Sequence, residues 1–169
     1  MRHILAALVQ NQPGVLTRVS GLFSRRGYNI ESLAVGRTHE PGVSRITILV
    51  DGDGLVLEQV VKQLDKLVDV IDVRDITAEE HVDRELVLIK VEAAPEIRGE
   101  IMQIVDIFRA RIVDIGQDSL IIECTGDHGK IRAIENSLKP FGILELVRTG
   151  KIAMVRGPKY GEVQNSGGK

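Results

Sequence analysis

The residue types and spacings that could do chemistry are concentrated in one short stretch, Asn11-Gln-Pro-Gly14-Val15-Leu16. The apolar run Ile4 to Val9 stops there, and residues at helical spacing (Val15, Leu16, Val19, Leu22, Phe23) begin. A strand that turns through Pro and Gly into a helix leaves unpaired backbone N–H groups at the helix N-terminus, where an anion is favoured. Gly14 lacks the Cβ that would hold an anion away from the backbone, and Asn11 offers both a donor and an acceptor. Val15 and Leu16 are expected to supply an apolar wall. A carboxylate site beside a small apolar surface suits an aliphatic amino acid. Spacing alone equally allows Asn11 to be an ordinary helix cap, and that alternative stays open at this point.

Catalytic and metal-binding patterns are missing from the sequence. His3, His39, His81 and His128 fall on an expected strand, turn, linker and loop with no paired spacing, so no zinc site is expected. No nucleophile elbow, Walker loop or dinucleotide-binding fingerprint occurs, and no catalytic residue is assigned. The run Asp-Gly-Asp-Gly-Leu from Asp51 lacks the later glycine and glutamate of a calcium loop and reads as a tight strand-to-helix turn. Arg25-Arg26 reads as a solvated helix end that complements the dipole. Cys124, the only cysteine, lies in the apolar run Ser-Leu-Ile-Ile-Glu-Cys and reads as core packing.

Composition narrows the class of partner. Lys+Arg total 22 against 24 Asp+Glu, a net charge of -2 that lacks the basic excess needed to hold a phosphate backbone. Aromatics at 3% and the absence of Trp remove the stacking platforms used on single strands, so no nucleic-acid partner is expected. No apolar stretch approaches the ~20 residues of a membrane span, and the N-terminal run lacks a signal-peptide cleavage site. The expectation is a cytoplasmic protein with no membrane partner.

The elements that must position Asn11 and Gly14 follow from periodicity. After the first strand and helix, "YNIESLAVGRT" and "SRITILVDG" alternate around His39-Glu-Pro-Gly42 as a hairpin. Leu57, Val60, Val61, Leu64 and Leu67 form a helical stripe, and "VIDVRDIT" closes the set as a strand. This β-α-β-β-α-β order is the ferredoxin-like pattern. The rest repeats it: strand "ELVLIKVEA", helix "EIRGEIMQIVDIFRA", hairpin "RIVDIGQDSLIIECTG", helix "KIRAIENSLKPF", and one last strand "ILELVRTGKIAMV". Pro13 and Pro95 each follow a first strand, and Phe23 and Phe108 each precede an Ile by seven residues. The predicted fold class is α+β, with tandem ferredoxin-like domains at 1–77 and 78–157, a linker "AEEHVDRE", and a fraying tail at 158–169. In the second copy Glu96 stands where an anion would sit, so only the first should bind one. A four-stranded sheet with helices on one face leaves edges open, and strand "YNIESLAV" is expected to pair with a second copy of the chain.

The run "NQPGVLTRVSGLFSRRGYNIESLAVG" followed by "SRITI" resembles the amino-terminal ACT domain of the regulatory (small) subunit of acetolactate synthase, also called acetohydroxyacid synthase. The second half, with "IFRARIVDI" and "TGDHGKI", resembles that family's carboxy-terminal domain, and the likeness reaches about residue 157. The resemblance implies a non-catalytic chain without cofactors of its own. Its implied partner is the large, catalytic subunit, which carries thiamine diphosphate, FAD and magnesium. The implied effector is L-valine or another branched-chain amino acid, acting by feedback inhibition, and the implied assembly is a homodimer with ACT sheets side by side. Carried over position by position, Asn11, Gly14, Val15 and Leu16 would line one side of the effector pocket, with Asn29 and Ile30 of a second copy on the other. Gln12 stands where related sequences often carry an acidic residue, which removes a charge beside the effector. Two other functions fit parts of the sequence: a free-standing ACT-type amino-acid sensor acting on another enzyme or regulator, and an acylphosphatase-like enzyme. The latter would need an Arg in the first turn, which "NQPG" lacks.

Overall fold

The structure, a computed structural model, describes residues 2–157. The first six elements are β1 (Arg2–Gln10), α1 (Val15–Arg25), β2 (Ile30–Arg37), β3 (Val43–Asp51), α2 (Gly54–Asp65) and β4 (Val70–Asp75). The period-2 alternation of β1 sends Leu5, Ala7 and Val9 into one core and Ile4 and Ala6 to the opposite face. The buried residues of α1 are Val15, Val19, Leu22 and Phe23, a single stripe that packs on this sheet with Leu57, Val60 and Leu64 of α2. Gly27, at φ 72°, ends α1: the Arg26 and Tyr28 amides both return to the Phe23 carbonyl. All strand pairings are antiparallel, in the order β2-β3-β1-β4, so β2 and β4 are the edges.

The second set is β5 (His81–Glu92), α3 (Arg98–Ile107), β6 (Arg111–Ile115), β7 (Ser119–Gly126), α4 (His128–Leu138), a 3-10 turn (Lys139–Phe141), β8 (Ile143–Arg148) and β9 (Ile152–Val155). Its sheet order, β6-β7-β5-β8, is that of the first set with each element replaced by its counterpart. Val87, Ile89 and Val91 of β5 pack with Ile101 and Val105 of α3 and with Ile131, Ile134 and Leu138 of α4. Asp127 caps α4, its carboxylate accepting the Lys130 amide at 2.8 Å. The fold is α+β, two ferredoxin-like βαββαβ units in tandem.

The end of the chain departs from the expectation. "ILELVRTGKIAMV" is two strands, because Gly150 turns the chain at φ 85° and the Thr149 hydroxyl accepts the Leu86 amide at 3.1 Å. β8 takes the place of β4 in the second sheet, and β9 is its fifth strand, paired with β5 off the main path. Ala153 and Val155 join Ile4, Ala6 and Ile76 in a small apolar cluster, the Arg45 guanidinium donates to the Ala153 carbonyl at 2.8 Å, and the Arg156 amide donates to the Glu80 carbonyl at 2.7 Å. Ile152–Val155 are thereby held as a strand, and the expected tail, 158–169, lies outside the described residues. By contacts, residues 2–82 and 153–157 form one unit and Asp83–Ile152 the other, whereas the sequence reading divided the chain at 77 and 78. The expected linker "AEEHVDRE" is mostly strand: β5 already starts at His81, with Asp83 ion-paired to Lys151 at 2.5 Å and Glu85 to Arg148 at 3.1 Å.

Cys124 is buried on β7 within the second core, and burial pushes its thiol up, with the Lys130 ammonium opposing only in part. The neutral thiol is the form the fold favours. Its contribution is complete below the ordinary thiol value of about 8.5 and is lost as pH rises through the raised folded value. Cys124 is expected to be inert to an aromatic disulfide reagent at about pH 8 and to react after denaturation. Rapid labelling of the native chain in a stopped-flow trace would contradict this placement.

Candidate functional site

Among the described residues, the turn between β1 and α1 is held by backbone hydrogen bonds. The Asn11 amide donates to the Gly42 carbonyl at 2.8 Å, the Gln12 amide to Gln10 at 3.0 Å, and the Val15 amide makes a long 3.4 Å bond to Gln12. Gly14 occupies the N-cap position at φ 84°, a left-handed conformation that an L-residue adopts at a cost of ~1–2 kcal/mol. Its carbonyl starts the helix by accepting the Arg18 amide at 3.0 Å. No side chain caps α1, so the alternative role of Asn11 as a conventional helix cap is not used. The first turn contains no acidic residue, and among the described residues the amides of Gly14, Leu16 and Thr17 have no acceptor. Three open N–H groups at the positive end of a helix form an anion-accepting surface.

The two apolar residues of the expected wall behave differently. Leu16 is 44% exposed at the turn, but Val15 is 4% exposed and belongs to the core. Val15 can therefore offer only its backbone to a ligand. Asn11 and Gly14 are exposed.

Asn29 and Ile30 lie at the other end of the same sheet. Gln10 pairs with Val43 on β3, while Ile30 pairs with Val50, next to Asp51, whose own partner on β1 is Arg2. The Arg2–Glu31 ion pair at 3.1 Å belongs to that far end. A strand of this length rises ~3.3 Å per residue, so roughly 25 Å separates the two groups of residues. One chain brings together Asn11, Gly14 and Leu16, and it separately brings together Asn29 and Ile30. Asn29 is exposed, and Ile30 leans partly on the core.

One residue missed by the sequence reading stands beside the turn. Arg18 places Nη1 3.1 Å from the position a Cβ on Gly14 would occupy, while its Nε and Nη2 both reach Asp69 Oδ2 at 2.6 Å. Asp69 lies just before β4, far from Gly14 in sequence, so only the Gly14-to-Arg18 spacing of one helical turn hinted at this. A separate shallow surface dimple, lined by Leu22, Arg26, Tyr28, Gln59, Val60 and Gln63, lies across α1 and α2 rather than at Gly14. Among the described residues no group of three or more His, Cys, Asp or Glu could hold a metal ion. His3 is buried with Nδ1 3.2 Å from Asp75 Oδ2. No helix among the described residues is long and apolar enough to cross a membrane.

With this geometry in hand, comparison with known proteins is specific. A family model described as the AHAS small subunit-like ACT domain matches residues 5–72, and one described as the small subunit of acetolactate synthase matches residues 84–157. The probable acetolactate synthase small subunit of Archaeoglobus fulgidus is 58% identical to this chain, over 94% of this chain and 99% of its own length. The acetolactate synthase small subunit of Aquifex aeolicus is 50% identical, over 97% of this chain and 86% of its own. Among solved structures, the crystal structure of an acetolactate synthase small subunit from Thermotoga maritima matches with a TM-score of 0.85 at 43% identity, covering 94% of this chain and 99% of that one.

Replacing Gly14 tests the geometry of the turn directly. Gly14→Ala must hold φ 84° with a Cβ and push against the Arg18 guanidinium, so a stability loss of ~1–2 kcal/mol is expected in urea denaturation. Gly21→Ala, in the middle of α1 with open space around its Cβ, should instead gain up to ~1 kcal/mol. Equal effects at both positions would refute the assigned turn.

Proposed function

The chain belongs to the acetolactate synthase small subunit family, and from that premise we propose that it is a non-catalytic regulatory subunit with a branched-chain amino acid, L-valine first, as its effector. It binds a separate thiamine-diphosphate-dependent large subunit, raises that subunit's activity and makes it sensitive to feedback inhibition. Thiamine diphosphate, FAD and magnesium belong to the large subunit.

The observation that carries the effector reading is the division of the candidate residues between opposite ends of one sheet, together with the open edge at β2. β1 and β2 run in the same direction, since each is antiparallel to β3. A second copy joined by antiparallel β2–β2 pairing runs its own β2 the opposite way. That brings Asn29 and Ile30 of the partner subunit to the end where Gly14 opens its helix. Side-by-side pairing also covers the β2 edge, and an uncovered sheet edge invites uncontrolled association. In this arrangement the effector carboxylate sits on the Leu16 and Thr17 amides, its ammonium group meets the partner's Asn29, and its side chain lies against Leu16 and the partner's Ile30.

A ligand held by both chains favours one geometry of the paired sheets over others. Regulation of the large subunit follows from that difference in affinity between states; a coupling of ~1–3 kcal/mol is sufficient for substantial inhibition. The apolar wall consists of few side chains, and one methylene changes affinity by only ~1–3 kcal/mol, so valine, leucine and isoleucine compete for the same place.

Two measurements test the reading. Titration calorimetry should give valine binding that weakens at least ~10-fold, about 1.4 kcal/mol, in both Asn11→Ala and Asn29→Ala. Wild-type affinity in both variants would remove the site. Co-purification with a thiamine-diphosphate-dependent synthase, assayed with and without valine, should show activation and its reversal. Valine binding without any association with such a synthase would favour the free-standing sensor.

A further inference from the structure

We infer that Arg18 is a direct ligand of the effector's carboxylate, and that Asp69 sets the effector affinity by competing for the same guanidinium. The inference rests on the effector reading above and adds a residue and a regulating contact to it.

Three observations converge on Arg18. First, its cation stands one turn into α1, beside the positive end of that helix, with no carboxylate in the first turn to offset it. Like charge at a helix N-terminus is unfavourable, and the Asp69 carboxylate, reached from one edge of the guanidinium, answers part of it. Second, the guanidinium is used along one edge only. Nε and Nη2 converge on a single oxygen, Asp69 Oδ2, at 2.6 Å each. That leaves Nη1 above the Gly14 turn without a hydrogen-bond acceptor among the described residues, on the side where a Cβ would stand, 3.1 Å away. The open amide of Gly14, with those of Leu16 and Thr17, belongs to the same turn against which this nitrogen stands. The planar fork of Arg suits a carboxylate better than an ammonium point charge does.

Third, Asp69 is anchored independently of its carboxylate. Its backbone carbonyl accepts the Gln10 amide at 2.8 Å, immediately before Asn11, and its side chain is 14% exposed against 49% for Arg18. The same residue thus braces the end of β1 through its backbone and holds Arg18 through its side chain. An effector carboxylate must share the guanidinium with this fixed anion. Asp69 orients Nη1 towards the turn and at the same time neutralises part of the charge the effector would feel. Removing the Asp69 charge frees Arg18 for the ligand, whereas removing Arg18 removes the ligand contact itself.

The test uses the full chain, L-valine as probe, and Arg18→Gln, Arg18→Lys and Asp69→Asn, with thermal melting of each variant alongside calorimetry. A ligand role predicts that Arg18→Gln weakens valine binding at least ~10-fold, that Arg18→Lys restores part of it, and that Asp69→Asn binds as tightly as the parent or more tightly. A brace with no ligand contact predicts instead that Arg18→Gln and Asp69→Asn lose affinity together, in step with their melting temperatures; that result overturns the proposal. Unchanged affinity in Arg18→Gln beside normal binding by the parent chain overturns it as well, while leaving the effector site standing. Absence of valine binding by the parent chain overturns both.

Discussion

The first unit depends on one backbone constraint, the left-handed turn at Gly14. β1 must stop, reverse and enter α1 within four residues, and it does so without help from any side chain. Because φ is positive there, the residue is glycine; because it is glycine, the Arg18 guanidinium can lie against the turn; because no side chain caps the helix, three amides remain open. The same constraint that makes the corner sterically possible makes it receptive to an anion.

The second unit shows what the same fold does without that constraint. Its counterpart helix α3 begins after Ile97 in ordinary right-handed geometry, carries Glu100 in its first turn, and has Arg98 turned onto the carbonyls of Ala93, Gly116 and Gln117. Here the arginine ties loops together and an acidic residue already occupies the helix's positive end. Two repeats with one topology thus begin their first helix differently: neither has a side-chain cap, but α3 starts right-handed with Glu100 in its first turn, whereas α1 starts at the left-handed Gly14 with no acidic residue there. The expectation that only the first copy binds an anion rests on Glu96; Glu100 places a further negative charge in the first turn of α3.

Periodicity made most of the architecture legible. The stripe Val15, Val19, Leu22, Phe23 and the alternation along the strands locate α1 and the sheets, because burial of one face decides both. What stayed hidden required knowledge of three-dimensional neighbours. Val15 and Leu16 are adjacent and equally apolar, yet one enters the core and the other stays at the turn, a distinction set by the phase of the helix against the sheet. Arg18 reads as a surface residue until Asp69 is brought to it across the fold. The split of the last strand depends on Gly150 and on a hydroxyl contact to Leu86, features with no hydrophobic signature.

The return of the chain to its own beginning makes the first unit discontinuous in sequence. Ile4, Ala6 and Ile76 are covered from behind by Ala153 and Val155, residues that come after the whole second unit. During synthesis from the amino terminus, the helix-facing core can assemble early, whereas this rear seam stays open until the final strand has emerged. Burial of this seam therefore waits on synthesis of the second unit: a chain arrested before β9 presents a bare apolar strip on the back of the sheet that carries the Gly14 turn.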